Sequence, residues 1–293
     1  MAADRGPVEV AFVLGGGGVL GAHEVGMLRA LAERSIEPEI VLGTSIGAVN
    51  GAFFAADPTI EGVERLTRLW RDANNRELFG GALLRRITTL ARSGTHLQSL
   101  AELRDRLAQA LPVERVEDLT VPFQCVAASI ERAAEHWFTE GDLTDVVLAS
   151  CAVPGILPPV KIGDEHFIDG GIVNSIPVSR AVALGARKIY VLQVGRLETP
   201  LRPPRWPWEV GLVAFEVARR HRFAADLHSL PDDVELHVMP TAGSAAPAYN
   251  NLTAQLRVRR MARSVQQQID LAYGASISYL EEHGCRPPRS AAR

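Results

Sequence analysis

The first 56 residues alternate twice between a short apolar segment and a helical pattern, with a glycine-rich turn at each junction. Residues 8–14 become fully apolar and end at a run of four glycines, after which apolar residues recur at helical spacing. A second apolar segment, residues 40–42, leads into another glycine-framed turn and a helix of small residues. This β-α-β-α order predicts a parallel sheet with helices on its faces, because parallel strands need a crossover connection.

The rest of the chain continues the α/β pattern. Strands are predicted near 123–128, 136–138, 167–168, 188–194 and 234–239, and helices within 60–110 and near 142–150, 177–184, 209–228 and 253–283. We therefore expect a three-layer α/β/α fold with a central, mostly parallel sheet and a largely helical C-terminal part. A Pro/Trp-rich stretch follows the strand at 188–194, which predicts one domain over 1–195 and an extension over 196–293 that packs on it.

Composition excludes several classes of protein. The chain carries 31 basic and 34 acidic residues, and this balance gives no electrostatic support for a nucleic-acid partner. Its three cysteines are too few and too scattered for a disulfide framework or a zinc site. No run of 18 apolar residues predicts a membrane span, and the N-terminal apolar segment is too short for a signal peptide. We expect a cytoplasmic protein.

The first turn contains Gly16-x-Gly18-x-x-Gly21, the spacing of dinucleotide-binding loops. That interpretation requires an acidic residue at the end of the second strand, where this chain has Leu42-Gly43-Thr44. Glycines at a helix N-terminus also present unhindered backbone N–H groups, which stabilise an oxyanion as well as a phosphate. The candidate donors are Gly16, Gly17 and Gly18, and a purely structural turn is the alternative.

The second turn, Gly43-Thr-Ser45-Ile-Gly47, matches the nucleophile elbow G-x-S-x-G. In such an elbow a serine sits on a sharp turn between a strand and a helix, and the flanking residues must be small. Ser45 is the candidate nucleophile, and a structural serine in a βα-turn is the alternative.

A serine nucleophile needs a base. The later histidines (His221, His228, His237 and His283) lie outside glycine-framed loops, and the pattern around Arg219 to Arg222 predicts that His221 and His228 lie on a solvated helix face. His23 is better explained as a hydrogen-bonding or packing residue. Asp169, in the turn Asp169-Gly170-Gly171, is a candidate to take the proton directly, although an ordinary Asp-Gly turn explains it equally well.

Taken together in this order, the three motifs resemble the patatin-like phospholipase family, whose pattern is a glycine-rich loop, G-x-S-x-G and, much later, D-G-[GA]. Three flanking stretches are also similar to the family: residues 23–28, 149–160 and 174–177. The resemblance covers roughly residues 8–195. One departure is Leu20, which stands where the family often has Arg or Lys and which leaves loop geometry or contact with a substrate phosphate open.

The resemblance implies a serine lipid acyl hydrolase with a catalytic domain over 1–195. Ser45 would be the nucleophile, Asp169 the general base, and the amides of Gly16, Gly17 and Gly18 the oxyanion hole. Glycines 21, 43, 47, 170 and 171 would shape the three turns. The resemblance implies an acyl lipid or phospholipid substrate and neither metal nor organic cofactor. The alternative is a catalytically weak or inactive module that binds a lipid or a nucleotide on the same scaffold.

Two segments predict peripheral contact with the inner face of a membrane. One is the stripe Leu83, Leu84, Ile87 and Leu90 with Arg85, Arg86 and Arg92, and the other is Trp206 and Trp208 beside Arg202 and Arg205. Residues 1–195 hold 18 basic and 24 acidic side chains, so the rest of the chain is mildly basic. Helices that cover the core are the alternative explanation.

Overall fold

The computed structural model describes residues 8–75, 100–154, 157–194, 200–204, 207–241 and 265–284. The strands are β1 (Val10–Leu14), β2 (Ile40–Thr44), β3 (Phe123–Ser129), β4 (Ala134–Phe138), β5 (Val160–Ile162), β6 (Glu165–Asp169), β7 (Lys188–Leu192) and β8 (Glu235–Val238). The helices are α1 (Ala22–Glu33), α2 (Ile46–Ala56), α3 (Ile60–Asn75), α4 (Leu100–Ala110), α5 (Leu143–Ser150), α6 (Gly171–Asn174), α7 (Val178–Ala183), α8 (Pro207–His228) and α9 (Val265–Glu282). Short 3-10 turns lie at Gly18–Gly21 and Val116–Asp118.

The described strands form one eight-stranded sheet. Strand β1 lies between β2 and β7, and β3 and β8 extend the sheet on either side, all in parallel pairings. Strands β4 and β6 pair antiparallel with β3, and β5 pairs antiparallel with β6. The mostly parallel sheet expected from the sequence is confirmed.

The two faces of the sheet bury alternate residues against separate sets of helices. Phe12 and Leu14 of β1 pack in one buried cluster with side chains of α1, α2, α3, α5 and α9. Ala11 and Val13, which point the other way, pack in a second cluster with side chains of α7 and α8. The alternation therefore produces the three-layer arrangement that the sequence predicts.

Residues after 195 contribute a strand to the sheet and a helix to the layer that contains α1. Strand β8 pairs with β7 from Lys188↔Glu235 to Val191↔Val238, which lengthens the sheet. Helix α9 crosses α1 so closely that a Cβ on Gly26 would lie 2.2 Å from the carbonyl oxygen of Ile269. Within the described ranges, each helix is too short or too polar to cross a bilayer.

The structure differs from the sequence expectations at several points. Strand β5 was not predicted, because three residues are too few for a periodic pattern. The solvated helix face predicted for His221 and His228 is confirmed, since both are exposed, but Arg219 and Glu216 of the same helix are only 3% and 2% exposed and form an ion pair. Other expectations lie outside the described residues, namely the stripe 83–92, the start of the last helix at 253–264, and the side chains of Arg205, Trp206 and Trp208.

Strands β2 and β6 lie end to end along one edge of β3. Strand β4 pairs with all of Cys125–Ser129, so it occupies the opposite edge. On the remaining edge, Thr44 at the end of β2 pairs with Val126, and Asp169 at the end of β6 pairs with the next residue, Ala127. Since the two strands run in opposite directions, their carboxyl ends meet there.

Candidate active site

Ser45 stands at a sharp turn between β2 and α2. Its backbone has φ 55° and ψ −124°, a region that non-glycine residues rarely adopt and that stores strain. Gly47 is required by close approach, since a Cβ there would lie 2.3 Å from the carbonyl oxygen of Leu14. The turn therefore has the geometry of a nucleophile elbow.

The hydroxyl of Ser45 donates a 2.6 Å hydrogen bond to Oδ2 of Asp169. Asp169 is 1% exposed, and its Oδ1 accepts the backbone N–H of Gly171 at 2.7 Å. Burial raises the pKa of Asp169 to about 6, although the hydrogen bonds from Ser45 and Gly171 lower it. A carboxyl that titrates near neutral pH is suited to accept and return a proton.

The turn that carries Asp169 is pressed against β3. A Cβ on Gly170 would lie 2.1 Å from the carbonyl oxygen of Val126, so this position has no room for a side chain. The backbone N–H of Asp169 donates to the carbonyl of Ala152 at 3.0 Å. These contacts fix the carboxylate beside Ser45.

The glycine-rich loop completes the site. The position that a Cβ on Gly16 would take lies 3.5 Å from Cβ of Ser45, so the loop lies directly against the serine. The N–H of Gly16, however, donates to the carbonyl of Ser175 at 3.0 Å. No described residue accepts a hydrogen bond from the N–H of Gly17 or Gly18, and Gly18 has a positive φ of 56°. The structure thus brings the three glycine-rich turns together.

Three neighbours of Ser45 were not singled out from the sequence. The Ser150 hydroxyl accepts the N–H of Ser45 at 2.9 Å, and the Thr44 hydroxyl donates to the carbonyl of Asn174 at 2.9 Å. The Cys151 thiol lies within electrostatic range of Ser45 and Asp169, and burial, followed by the Asp169 charge, raises its pKa well above the usual value. Ser150 and Cys151 belong to the stretch 149–160, whose resemblance to the family was the one available signal.

A buried polar network contacts the C-terminal end of the glycine loop at Gly21. Asn50 of α2 donates to the carbonyl of Gly21 at 3.0 Å and to Oε2 of Glu24 at 2.7 Å, and it accepts the indole N–H of Trp70 at 2.8 Å. Burial raises the pKa of Glu24 well above its usual value. The network joins the end of the loop to the helix that follows Ser45.

The histidines considered as bases from the sequence lie elsewhere in the described structure. Nδ1 of His23 lies 2.9 Å from the carbonyl oxygen of Leu20, in agreement with the hydrogen-bonding role expected for it. His237 lies between Glu235 and Tyr279, and His228 and His283 bond to carbonyls of their own helices. His221 is exposed on α8. The Ser45 hydroxyl donates instead to the Asp169 carboxylate.

Comparison with known proteins finds relatives among patatin-like phospholipases and lysophospholipases. Mouse patatin-like phospholipase domain-containing protein 7 is 32% identical over 195 residues, and lysophospholipase NTE1 of Mycosarcoma maydis is 29% identical over 191 residues. These alignments cover 66% and 65% of this chain but only 14% and 10% of the relatives. The crystal structure of VipD from Legionella pneumophila aligns with 95% of this chain and 68% of its own, at 13% identity and a TM-score of 0.46.

The family model described as patatin-like phospholipase matches residues 12–182, which include the glycine loop, the Ser45 elbow and the Asp169 turn. The chain therefore belongs to the patatin-like phospholipase family.

Proposed function

We propose that this protein is a serine esterase that hydrolyses acyl ester bonds of phospholipids or lysophospholipids through a Ser45–Asp169 dyad. The observation that carries the proposal is the 2.6 Å hydrogen bond from a serine on a strained elbow to a buried carboxylate. The names of the relatives, among them a lysophospholipase, support a lipid ester as the substrate.

In this mechanism the Ser45 oxygen attacks the ester carbonyl carbon while Oδ2 of Asp169 takes the hydroxyl proton. The tetrahedral intermediate then collapses, the C–O bond to the alcohol breaks, and Asp169 returns the proton to the departing alkoxide. A water molecule, deprotonated by Asp169, attacks the acyl-serine in the second half of the reaction. Release of the fatty acid restores the Ser45 hydroxyl and the Asp169 carboxylate.

The oxyanion formed in both halves would be stabilised by backbone N–H groups of the glycine loop. Gly17 and Gly18 are the donors that the geometry favours, because the N–H of Gly16 is bonded to Ser175. Gly16 contributes the space beside Ser45 that a side chain would fill. Because position 20 is Leu where the family often has Arg or Lys, that position places no positive charge beside the oxyanion, and the proposed donors are backbone N–H groups.

The test compares Ser45→Ala and Asp169→Asn with the wild type on p-nitrophenyl acyl esters and on a lysophospholipid. Both variants should lose hydrolysis while keeping the circular dichroism spectrum and melting temperature of a folded protein. Full activity of Asp169→Asn would contradict the dyad. A fluorophosphonate separates this enzyme from the alternative of a binding module, which would leave Ser45 unlabelled.

We further propose that residues 1–195 form the catalytic domain and that 196–293 are an integral part of the same folding unit. The support is the pairing of β8 with β7 and the close packing of α9 on α1. A chain truncated after residue 195 should fail to fold, because it would uncover the β7 edge and the α1 surface. A soluble, cooperatively melting fragment would contradict this proposal.

Peripheral membrane contact is the last part of the proposal. Helix α8 exposes Val210 and Val217 on one face, where they are 54% and 52% accessible, and on another side its Phe215 lies 2.6 Å from the position of a Cβ on Gly171, beside Asp169. Exposed apolar side chains on a helix that also contacts the catalytic turn suit a lipid surface. Val217→Glu should reduce sedimentation with anionic liposomes, and sedimentation equal to that of the wild type would exclude α8 as the contact.

A further inference from the structure

Ser150 contacts the nucleophile elbow, strand β3 and the base turn at once. It is the last residue of α5 and is 0% exposed. Its hydroxyl accepts the N–H of Ser45 at 2.9 Å and donates to the carbonyl of Val126 at 2.7 Å. Its own carbonyl accepts the N–H of Gly170 at 3.3 Å, one residue after Asp169.

The direction of these bonds is fixed. A serine hydroxyl has one proton, and here that proton is donated to Val126, so the oxygen faces Ser45 only as an acceptor. Ser45 needs such an acceptor because its N–H lies in a strained turn, where an unpaired amide would favour a relaxed backbone. The hydroxyl of Ser150 therefore holds the elbow in its strained form.

We propose that Ser150 is a positioning residue that keeps the Ser45 hydroxyl within hydrogen-bond distance of Asp169. The inference rests on the proposed function, in which these two groups react, and extends it to a residue that touches neither the substrate nor the reacting atoms. It also gives a physical role to the stretch 149–160, since Ser150 and Ala152 bind the backbone of the elbow and of the base turn.

A buried serine that merely fills space is the competing explanation, and the chain offers a matched control. Ser276 of α9 is also 0% exposed, and no described residue hydrogen-bonds to its hydroxyl. Ser150→Ala and Ser276→Ala remove the same atom from two buried sites, and only the first change removes a bond to the elbow.

The experiment measures kcat and KM on a p-nitrophenyl ester between pH 4.5 and 8 for the wild type and both variants. Ser150→Ala should lower kcat about 100-fold with KM little changed, because a displacement of about 1 Å at the reacting atoms costs about that factor. Ser276→Ala should retain wild-type kcat. Equal losses in the two variants, or an unchanged kcat in Ser150→Ala, would overturn the proposal.

The pH dependence of kcat/KM separates a positioning role from a packing role, because loss of packing alone would not shift the pH at which the rate falls. The Ser45 hydrogen bond lowers the pKa of Asp169, so a displaced Ser45 should shift the acidic limb of kcat/KM to higher pH in Ser150→Ala. The titratable side chain facing Asp169 is the Cys151 thiol, whose raised pKa keeps it neutral in this range. An unshifted limb would contradict the positioning role.

Two further measurements keep the inference testable under other outcomes. If Ser150→Ala does not fold, Ser150→Cys fills the site with a slightly larger atom that accepts the Ser45 amide only weakly, and it should also show a reduced kcat. If the wild type hydrolyses no ester, the proposed function fails, and amide hydrogen exchange decides the inference. Exchange at Ser45 should be faster in Ser150→Ala than in Ser276→Ala, and equal exchange would overturn it.

Discussion

Thr44 and Asp169 pair with consecutive residues of β3, Val126 and Ala127, although they end strands that run in opposite directions. The residue after Thr44 is Ser45, so this register places the serine and the carboxylate within 2.6 Å of each other. Rules for parallel sheets place ligand sites at the carboxyl ends of neighbouring parallel strands. Here an antiparallel strand brings the second group to the same point.

The pKa of Asp169 sets the pH dependence of the reaction. Asp169 acts as a base only when ionised, and its pKa is raised to about 6. We expect kcat/KM to reach half its plateau near pH 6 and to fall to about one tenth of the plateau at pH 5. A pH series with a non-ionising ester measures this, and a flat profile from pH 5 to 8 would exclude Asp169 as the base.

The same carboxylate should destabilise the folded protein above pH 6. Its pKa is higher folded than unfolded, so its contribution to stability is full below about pH 4 and is lost as the pH rises through about 6. The Asp169→Asn variant has no charge to bury at this position, so its free energy of unfolding at pH 8 should exceed that of the wild type by about 1–3 kcal/mol. Urea denaturation at pH 8 and pH 4 measures the difference, which should shrink at pH 4. A variant less stable than the wild type at pH 8 would contradict this.

Gly16→Ala tests the space beside the nucleophile. The new methyl would lie 3.2 Å from Oγ of Ser175 and 3.5 Å from Cβ of Ser45, so the fold should survive while substrate is displaced. We expect kcat/KM to fall about 100-fold. Gly274→Ala in α9 is the control, because its methyl meets no atom within 4 Å. It should leave activity unchanged and add about 0.5–1 kcal/mol of stability. Wild-type activity in Gly16→Ala would mean that this space is not used.

Trp70→Phe tests how much the hydrogen bonds of Asn50 contribute to the stability of the folded protein. The change removes the 2.8 Å hydrogen bond to Oδ1 of Asn50 and leaves that oxygen buried without its donor. Such a loss costs about 1–3 kcal/mol, which thermal or urea unfolding resolves. Trp137→Phe in β4, where Arg180 stacks on a half-buried indole, should cost less than about 1 kcal/mol. Equal effects would show that the Asn50 network does not bear on stability.

Much of the candidate site could be predicted from the sequence because its chemistry lies in local patterns. Glycines that flank a serine after an apolar segment indicate an elbow, and the strained φ of Ser45 agrees with that prediction. The turn at Asp169 was locally ambiguous, since an Asp-Gly turn is common, and only the register of β6 against β3 brings it beside Ser45.

Other features depend on contacts between distant segments, which no local pattern shows. The N–H of Gly16 donates to the carbonyl of Ser175, which lies 159 positions later in the chain. The N–H of Ser45 donates to the hydroxyl of Ser150, which lies 105 positions later. The charged pattern of α8 predicts the exposure of His221 and His228, but it does not show that tertiary packing buries the Glu216–Arg219 pair. The antiparallel pairing of β5 with β6 could not be predicted either, because β5 has only three residues and shows no periodic pattern.

The most direct test of the Ser45–Asp169 dyad is the rate at which a fluorophosphonate labels Ser45, followed by mass spectrometry of the intact protein. The wild type should gain one adduct, mapped to Ser45, and Asp169→Asn should be labelled at least about 100-fold more slowly because the serine has lost its base. Labelling of Asp169→Asn at the wild-type rate, or an adduct on another residue, would contradict the dyad.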